Sequence, residues 1–394
     1  MAEHIAFLTI PAAGHINPTL PLVAELVRRG HRVTYATGPA FGDAVRAAGA
    51  ELVELDWEPK AIKVARTGQT TEDLARMLSS FVNSARRVTP AVEKWLVDDR
   101  PDLFVYDMMT FIGPALAAKL GLLEASTVAN FAGNEHFNLT QALVPADFDP
   151  THPKFQEFLA ARAQYAKDFD VPLETVATAG AIAPMNLVFI PREFQLSGET
   201  FDGRFHFAGP AIGARTAVSD WTSPGSPLLF ISLGTAVNDR PDFFTTCAKA
   251  FGNTNWNVAM AIGNEVNLAD LGEIPPNFDI RPYFPQPLVL QHADVFLSHA
   301  GMNSVMESLL NQVPLATYPQ TAEQSANANR VIELALGHRL PNDVTPDALR
   351  ATVDKISTDE TIRKNLAEMA AHIHTAGGAP GAADALESYL AKNR

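Results

Sequence analysis

Cysteine is almost missing: Cys247 is the only one in 394 residues. One thiol rules out an internal disulfide, and a reducing, cytoplasmic setting is the expectation. Long apolar runs are missing too, since no segment approaches the ~20 residues of a membrane span. The first apolar run, Ile5 to Ile10, is short and preceded by Glu3 and His4, so it reads as a strand and not as a secretory segment. Basic charge is scarce, with 30 Lys and Arg against 44 Asp and Glu for a net charge of −14, which argues against nucleic acid or an anionic membrane as the main partner. The dinucleotide fingerprint G-x-G-x-x-G is absent after the first strand, where only Gly14 sits, and so is the phosphate loop of nucleotide triphosphatases. Eleven histidines include no H-E-x-x-H pair. The acidic triplets Asp147-Phe148-Asp149 and Asp168-Phe169-Asp170 fall in an irregular stretch and read as surface charges, so no metal site is expected.

What is present is a hydrophobic share of 47%, enough for two well-buried domains. Short apolar runs alternate with helical patterns, the signature of parallel sheets. Strands are expected at His4–Ile10, Arg32–Ala36, Glu51–Leu55 and Asp102–Tyr106, with a helix capped by Asn17 that starts at Pro18 and ends at Gly30. A second series follows at Leu228–Ser232, Trp256–Ile262, Phe278–Arg281, Val295–Ser298 and Leu315–Tyr318. Between them, Gly209 to Pro227 is rich in Gly, Pro, Ser and Thr and reads as a linker. The fold class is therefore α/β, with two Rossmann-like, doubly wound domains expected to face each other across a cleft. Their bounds are residues 1–208 and 228–375, and a final helix at Ala382–Leu390, after Pro380-Gly381, lies in a segment (376–394) expected to cross back to the first domain. Residues 130–180 lack the alternation and read as helices and loops that wall a binding site.

Polar residues gather where strands should end, the edge at which open parallel sheets bind ligands. The densest group is His299, Gly301, Asn303, Ser304 and Glu307, followed by Pro319-Gln320 and Glu323-Gln324. Asn303 and Ser304 are placed to cap a helix whose free N–H groups and dipole suit a phosphate. Glu307, one turn in, could accept from two ribose hydroxyls, or lie on a solvated face. Ser232-Leu233-Gly234-Thr235 closes a strand with small residues that let a diphosphate approach. Tyr283 could stack on a base, or pack in the core, and Gln286 could bond the base edge. In the first half, His15 follows the first strand and could take a proton from a hydroxyl, or simply bond a backbone carbonyl. Asp107 ends the strand Leu103–Tyr106 and could hold the other nitrogen of His15, or cap the next helix.

Taken in order, Gly14-His15-Ile16-Asn17-Pro18, Val105-Tyr106-Asp107, Ser232 to Thr235, Pro285-Gln286, His299 to Glu307 and Pro319 to Gln324 resemble the inverting, GT-B glycosyltransferases of family 1, in particular the actinobacterial macrolide group. The resemblance runs over nearly the whole chain. It implies His15 as catalytic base with Asp107 as its partner, and an acceptor bound by the first domain. It implies base contacts from Tyr283 and Gln286, diphosphate contacts from His299, Gly301, Asn303 and Ser304, and a ribose contact from Glu307. Glu323 and Gln324 would bind the donor sugar, with Ser232 and Thr235 near the phosphates. The implied co-substrate is a UDP-sugar, UDP-glucose first, with no cofactor and no metal. The implied acceptor is an apolar hydroxylated molecule, a macrolide first and a phenol or flavonoid next. Tyr283 departs from the family's usual Trp, which weakens uridine against thymidine. A sugar-nucleotide epimerase or hydrolase of the same fold and a non-catalytic, transferase-like activator are the alternatives, and the missing glycine fingerprint disfavours a nicotinamide oxidoreductase.

Overall fold

The computed structural model describes residues 2–58, 70–139, 144–176, 182–213, 220–235 and 238–394. Parts of two sequence readings lie outside these residues: 214–219 of the linker, and 140–143 and 177–181 of the stretch 130–180. The chain divides into two compact units, Met1–Ala211 with Ala376–Arg394, and Ile212–Thr375.

The first unit holds a seven-stranded sheet in the order β3-β2-β1-β4-β5-β6-β7. Its strands are β1 His4–Leu8, β2 Arg32–Thr37, β3 Glu51–Glu54, β4 Leu103–Asp107, β5 Glu124–Val128, β6 Asn186–Val188 and β7 Phe205–Phe207. All neighbours are parallel. Side chains alternate across the sheet as the period of two requires. Ile5, Phe7, Leu103 and Val105 pack on one face with Leu22, Val23 and Leu26 of the helix Leu20–Arg28 and with Leu386 and Leu390 of the last helix. Ala6, Leu8, Phe104 and Tyr106 pack on the other, against Val88 and Val92 of the helix Thr71–Asp98 and Phe158 and Tyr165 of the helix Pro153–Asp168. Buried on both faces, β1 and β4 read as continuous apolar runs, which is why both were legible.

The second unit holds a six-stranded parallel sheet in the order β10-β9-β8-β11-β12-β13. These are β8 Leu228–Ser232, β9 Asn257–Ala261, β10 Phe278–Arg281, β11 Val295–Ser298, β12 Leu315–Thr317 and β13 Gly337–Arg339. Phe230 and Phe296 stack at 4.9 Å between the two central strands. Each sheet changes direction between two central strands, β1 and β4 in one and β8 and β11 in the other, and such switch points open a crevice at the strands' carboxyl ends.

Two helix starts depart from the sequence reading. The helix expected from Pro18 with Asn17 as its cap begins instead at Leu20, as Leu20–Arg28, and a separate one-turn helix, Ala13–Ile16, precedes it. Asn17 is the C-cap of the one-turn helix, and Pro18 has no N–H to continue it. The Thr19 hydroxyl is engaged with the Ile16 carbonyl and the Tyr35 hydroxyl, so it does not cap the longer helix. The last helix begins at Gly378 and not at Ala382. Pro380 lies in its first turn, where the missing N–H has no partner to lose. No helix among the described residues is long and apolar enough to cross a membrane.

Candidate active site

The switch point of the first unit brings His15 and Asp107 together. Asp107 is the last residue of β4 and is buried, while His15 sits in the one-turn helix after β1, about a quarter exposed at 24%. His15 Nδ1 and Asp107 Oδ2 are 2.7 Å apart. The second carboxylate oxygen accepts the Met109 N–H at 2.9 Å, which fixes the rotation of the carboxylate. Since an ionised carboxylate only accepts, the Asp107 contact assigns the Nδ1 proton to His15 and leaves Nε2 as the basic nitrogen. The two residues are 92 positions apart in the chain, and the parallel register of β1 with β4 makes them neighbours.

The switch point of the second unit brings together Ser232, Gly234, His299 and Gly301. The His299 N–H bonds the Ser232 carbonyl at 3.4 Å, continuing the β8–β11 ladder. The imidazole lies against two glycines: a Cβ on Gly234 would stand 2.6 Å from His299 Nε2, and one on Gly301 2.4 Å away. Gly234 also has φ +75. Burial pushes the His299 imidazole down to about 4, so it is neutral near pH 7. Its Nδ1 is buried and has no hydrogen-bond partner among the described residues.

Helix Met302–Leu310 follows, and its start corrects the sequence reading. The N-cap is Gly301, with no side-chain cap, so Asn303 and Ser304 are the second and third helical residues, too far in to cap. The N–H groups of the first turn are therefore not covered by a capping side chain. Ser304 instead accepts from Gln286 Nε2 at 3.1 Å. The same amide donates to Glu307 Oε2 at 2.7 Å, and Glu307 is buried at 2% exposure, not on a solvated face. Gln286, Ser304 and Glu307 thus form one cluster, with the carboxylate oriented by the amide. Tyr283 is 53% exposed three residues before, so it is not a core residue. Thr235 is exposed in the loop after β8.

Glu323 and Gln324 lie in the first turn of the helix Ala322–Glu333, whose cap is Thr321. Glu323 is exposed and Gln324 buried. The Gln324 Oε1 accepts the Gln320 N–H at 2.7 Å, which fixes that side chain and leaves its NH2 group as the donor. Among the described residues, no three His, Cys, Asp or Glu side chains come together to hold a metal ion. Asp147 accepts the Thr71 N–H and Asp149 caps Thr151, as surface and loop charges do.

Residues 249–383 match the family described as Erythromycin biosynthesis protein CIII-like, C-terminal domain. The chain is 38% identical over 398 residues to the NDP-glycosyltransferase YjiC of Bacillus licheniformis, an alignment covering 99% of this chain and 98% of that protein. It is 35% identical to the demethyllactenocin mycarosyltransferase of Streptomyces fradiae, covering 98% of this chain and 86% of that one. The chain belongs to the GT-B glycosyltransferases. Its fold matches the crystal structure of the calicheamicin glycosyltransferase CalG4 with a TM-score of 0.85 at 34% identity, over 99% of this chain and 98% of that one. A glycosyltransferase takes a nucleotide-sugar donor and an acceptor, so this enzyme needs two binding sets.

Several residues of this glycosyltransferase that build the site escaped the sequence reading. Ala300 has φ +63, a left-handed conformation that costs a non-glycine residue about 1 kcal/mol or more. The turn is held by Ser298, whose hydroxyl accepts the Ala300 N–H at 3.1 Å, and by Asn327, whose amide donates to the Ala300 carbonyl at 3.0 Å. Asn238 holds the other loop through the Gly234 carbonyl at 2.8 Å. One signal was available: Gln324, Asn327, Ala328 and Val331 share the buried helix face, and a buried Asn on an apolar stripe requires a partner.

Proposed function

We propose that this glycosyltransferase moves a hexose, glucose from UDP-glucose first among donors, onto a hydroxyl of an apolar small molecule with inversion at the anomeric carbon. A macrolide is the first acceptor class and a phenol or flavonoid the second. The observation that carries the reading is the 2.7 Å contact of His15 Nδ1 with Asp107. With Nδ1 held, Nε2 takes the proton of the acceptor hydroxyl as its oxygen bonds to the anomeric carbon. Asp107 stabilises the imidazolium that forms. The bond to the nucleoside diphosphate breaks in the same step, so an α-linked donor gives a β-linked product. The charge growing on the leaving diphosphate falls to the first-turn N–H groups of Met302–Leu310, the glycine-bordered turn at His299, and Ser232 and Thr235. Glu307 takes the ribose hydroxyls, Tyr283 and Gln286 the base, and Glu323 with the Gln324 amide the sugar hydroxyls. In this reading the helix end replaces a metal, and transfer continues in a chelator.

An apolar acceptor is supported by Ile10, Trp57 and Phe111, which follow β1, β3 and β4 in the chain and belong to or pack on the first unit's core, with Phe81 packed on it too. Phe81 and Phe111 meet edge to face at 5.9 Å. The Streptomyces fradiae relative is named for mycarosyl transfer, so the donor sugar is what a panel must separate. Crossing UDP-glucose, UDP-galactose and dTDP-sugars with macrolides, phenols and flavonoids, read by mass spectrometry with the linkage read by NMR, is the test. A β-linked product from UDP-glucose supports the reading. Conversion of the donor at full rate with no acceptor present would replace it with epimerase or hydrolase chemistry.

A further inference from the structure

The loop after β8 and the loop after β12 are joined by one guanidinium. Arg240 is the residue before the helix Pro241–Phe251, and its side chain is 17% exposed. Nε and Nη2 bond the two oxygens of Asp242 at 2.9 and 2.8 Å. Nη1 donates to Gln320 Oε1 at 2.7 Å and Nη2 to the Tyr318 hydroxyl at 2.9 Å, both about eighty residues away in the chain. The Tyr318 ring is clamped as well, stacked on Phe243 at 4.1 Å, while its hydroxyl donates to the Asn342 carbonyl. Gln320, 5% exposed, spends its remaining groups locally: Nε2 donates to the Tyr318 carbonyl and its N–H to Gln324 Oε1. A continuous chain of bonds therefore runs from Asp242 through Arg240 and Gln320 to Gln324.

Pairing with Asp242 keeps the partly buried guanidinium neutralised, and its planar fork reaches two loops at once, which a lysine ammonium cannot do. We propose that Arg240 is a positioning residue for the donor sugar: it fixes the segment Gln320–Gln324, and through it the Gln324 side chain and the neighbouring Glu323. This rests on the reading of Glu323 and Gln324 as sugar contacts. The nucleoside and diphosphate contacts at Tyr283, Gln286 and His299–Glu307 belong to other loops; Ser232 and Thr235 precede Arg240 on the loop after β8, but the guanidinium bonds Asp242, Gln320 and Tyr318 and neither of these two. Loss of Arg240 therefore acts on the sugar and not on the nucleotide. A displacement of about 1 Å at such a contact costs on the order of 10²-fold in rate.

The test compares Arg240→Ala, Arg240→Lys, Gln320→Ala and the Ala/Ala double variant. For each, kcat and KM for UDP-glucose are set beside the inhibition constant of UDP, which lacks the sugar. The expected result is a kcat/KM lowered about 10- to 100-fold in Arg240→Ala, with UDP inhibition within about twofold of wild type. Partial recovery is expected in Arg240→Lys, and a double variant no worse than the poorer single one. Unchanged kcat/KM in Arg240→Ala, UDP inhibition weakening in step with donor KM, or additive losses in the double variant would each overturn the proposal. If Arg240→Ala fails to fold, Arg240→Lys and Gln320→Ala carry the same comparison. Glu323→Ala and Gln324→Ala run alongside: if neither affects the donor, the sugar-contact reading itself fails, whereas if they do and Arg240→Ala does not, only the positioning role fails.

Discussion

At the scale of single residues, the donor-side turn is governed by how close a histidine comes to two glycines. A methyl group on Gly301 would stand 2.4 Å from His299 Nε2. Gly301→Ala is expected to cost about 1–3 kcal/mol in stability through this overlap and to raise the donor KM by about tenfold, measured by thermal unfolding and initial rates. The ring has a pH consequence as well. Its pKa is about 4 in the folded protein and an ordinary 6.5 in the unfolded chain. The unfolded state therefore takes up this proton first, and the contribution of neutral His299 to stability is lost as pH falls from about 6.5 to about 4. Melting temperature against pH should fall more steeply for wild type than for His299→Gln between pH 7 and 5, and parallel curves would show that the burial is not felt. Legibility varied from residue to residue. His15 and Asp107 were readable because each ends or follows an apolar strand. The caps at Asn17, Asn303 and Ser304 were misplaced because capping depends on where the first helical turn begins, and a glycine at position 301 starts the helix earlier than its side chains indicate.

At the scale of elements, strands set in apolar runs were legible, even the three-residue β12, whereas polar or isolated short ones were not. β5 is Glu-Ala-Ser-Thr-Val, too polar for an apolar run, and its Ser126 hydroxyl donates to the side chain of Asn186 on β6. β6, β7 and β13 have three residues each, too few for a period of two to show. Ser126 and Asn186 need a partner strand that no local pattern reveals. The turn between β11 and the helix Met302–Leu310 depends on the helix Ala322–Glu333 through Asn327. Asn327→Leu removes the amide that holds the Ala300 carbonyl. It is expected to weaken inhibition by UDP, because the turn that presents Gly301 relaxes, while leaving acceptor KM within about twofold. Equal loss for donor and acceptor would assign Asn327 to general stability instead.

At the scale of the whole molecule, the last helix belongs to the unit that contains the first residues. Arg29 bonds Asp384 and Glu387 at 2.6 Å each, and His31 bonds Glu387 at 2.9 Å. Ala382, Ala383, Leu386 and Leu390 complete the core beneath β1 and β4. Truncation after Gly377 is expected to remove on the order of 5 kcal/mol, a large part of an ordinary domain's stability, and to lower the first unit's melting transition by calorimetry. The two-sheet plan was legible because alternation of strand and helix is a property of the whole chain. The return of the chain end to the first unit rests on contacts hundreds of residues apart.

The account's central claim is that the His15–Asp107 pair activates an acceptor hydroxyl. Its most direct test is the rate of sugar transfer by His15→Ala and Asp107→Asn with donor and acceptor saturating, alongside UDP inhibition. The account predicts kcat lower by about 10²- to 10⁴-fold in both, with UDP inhibition unchanged. Transfer by His15→Ala at a rate near wild type would contradict it.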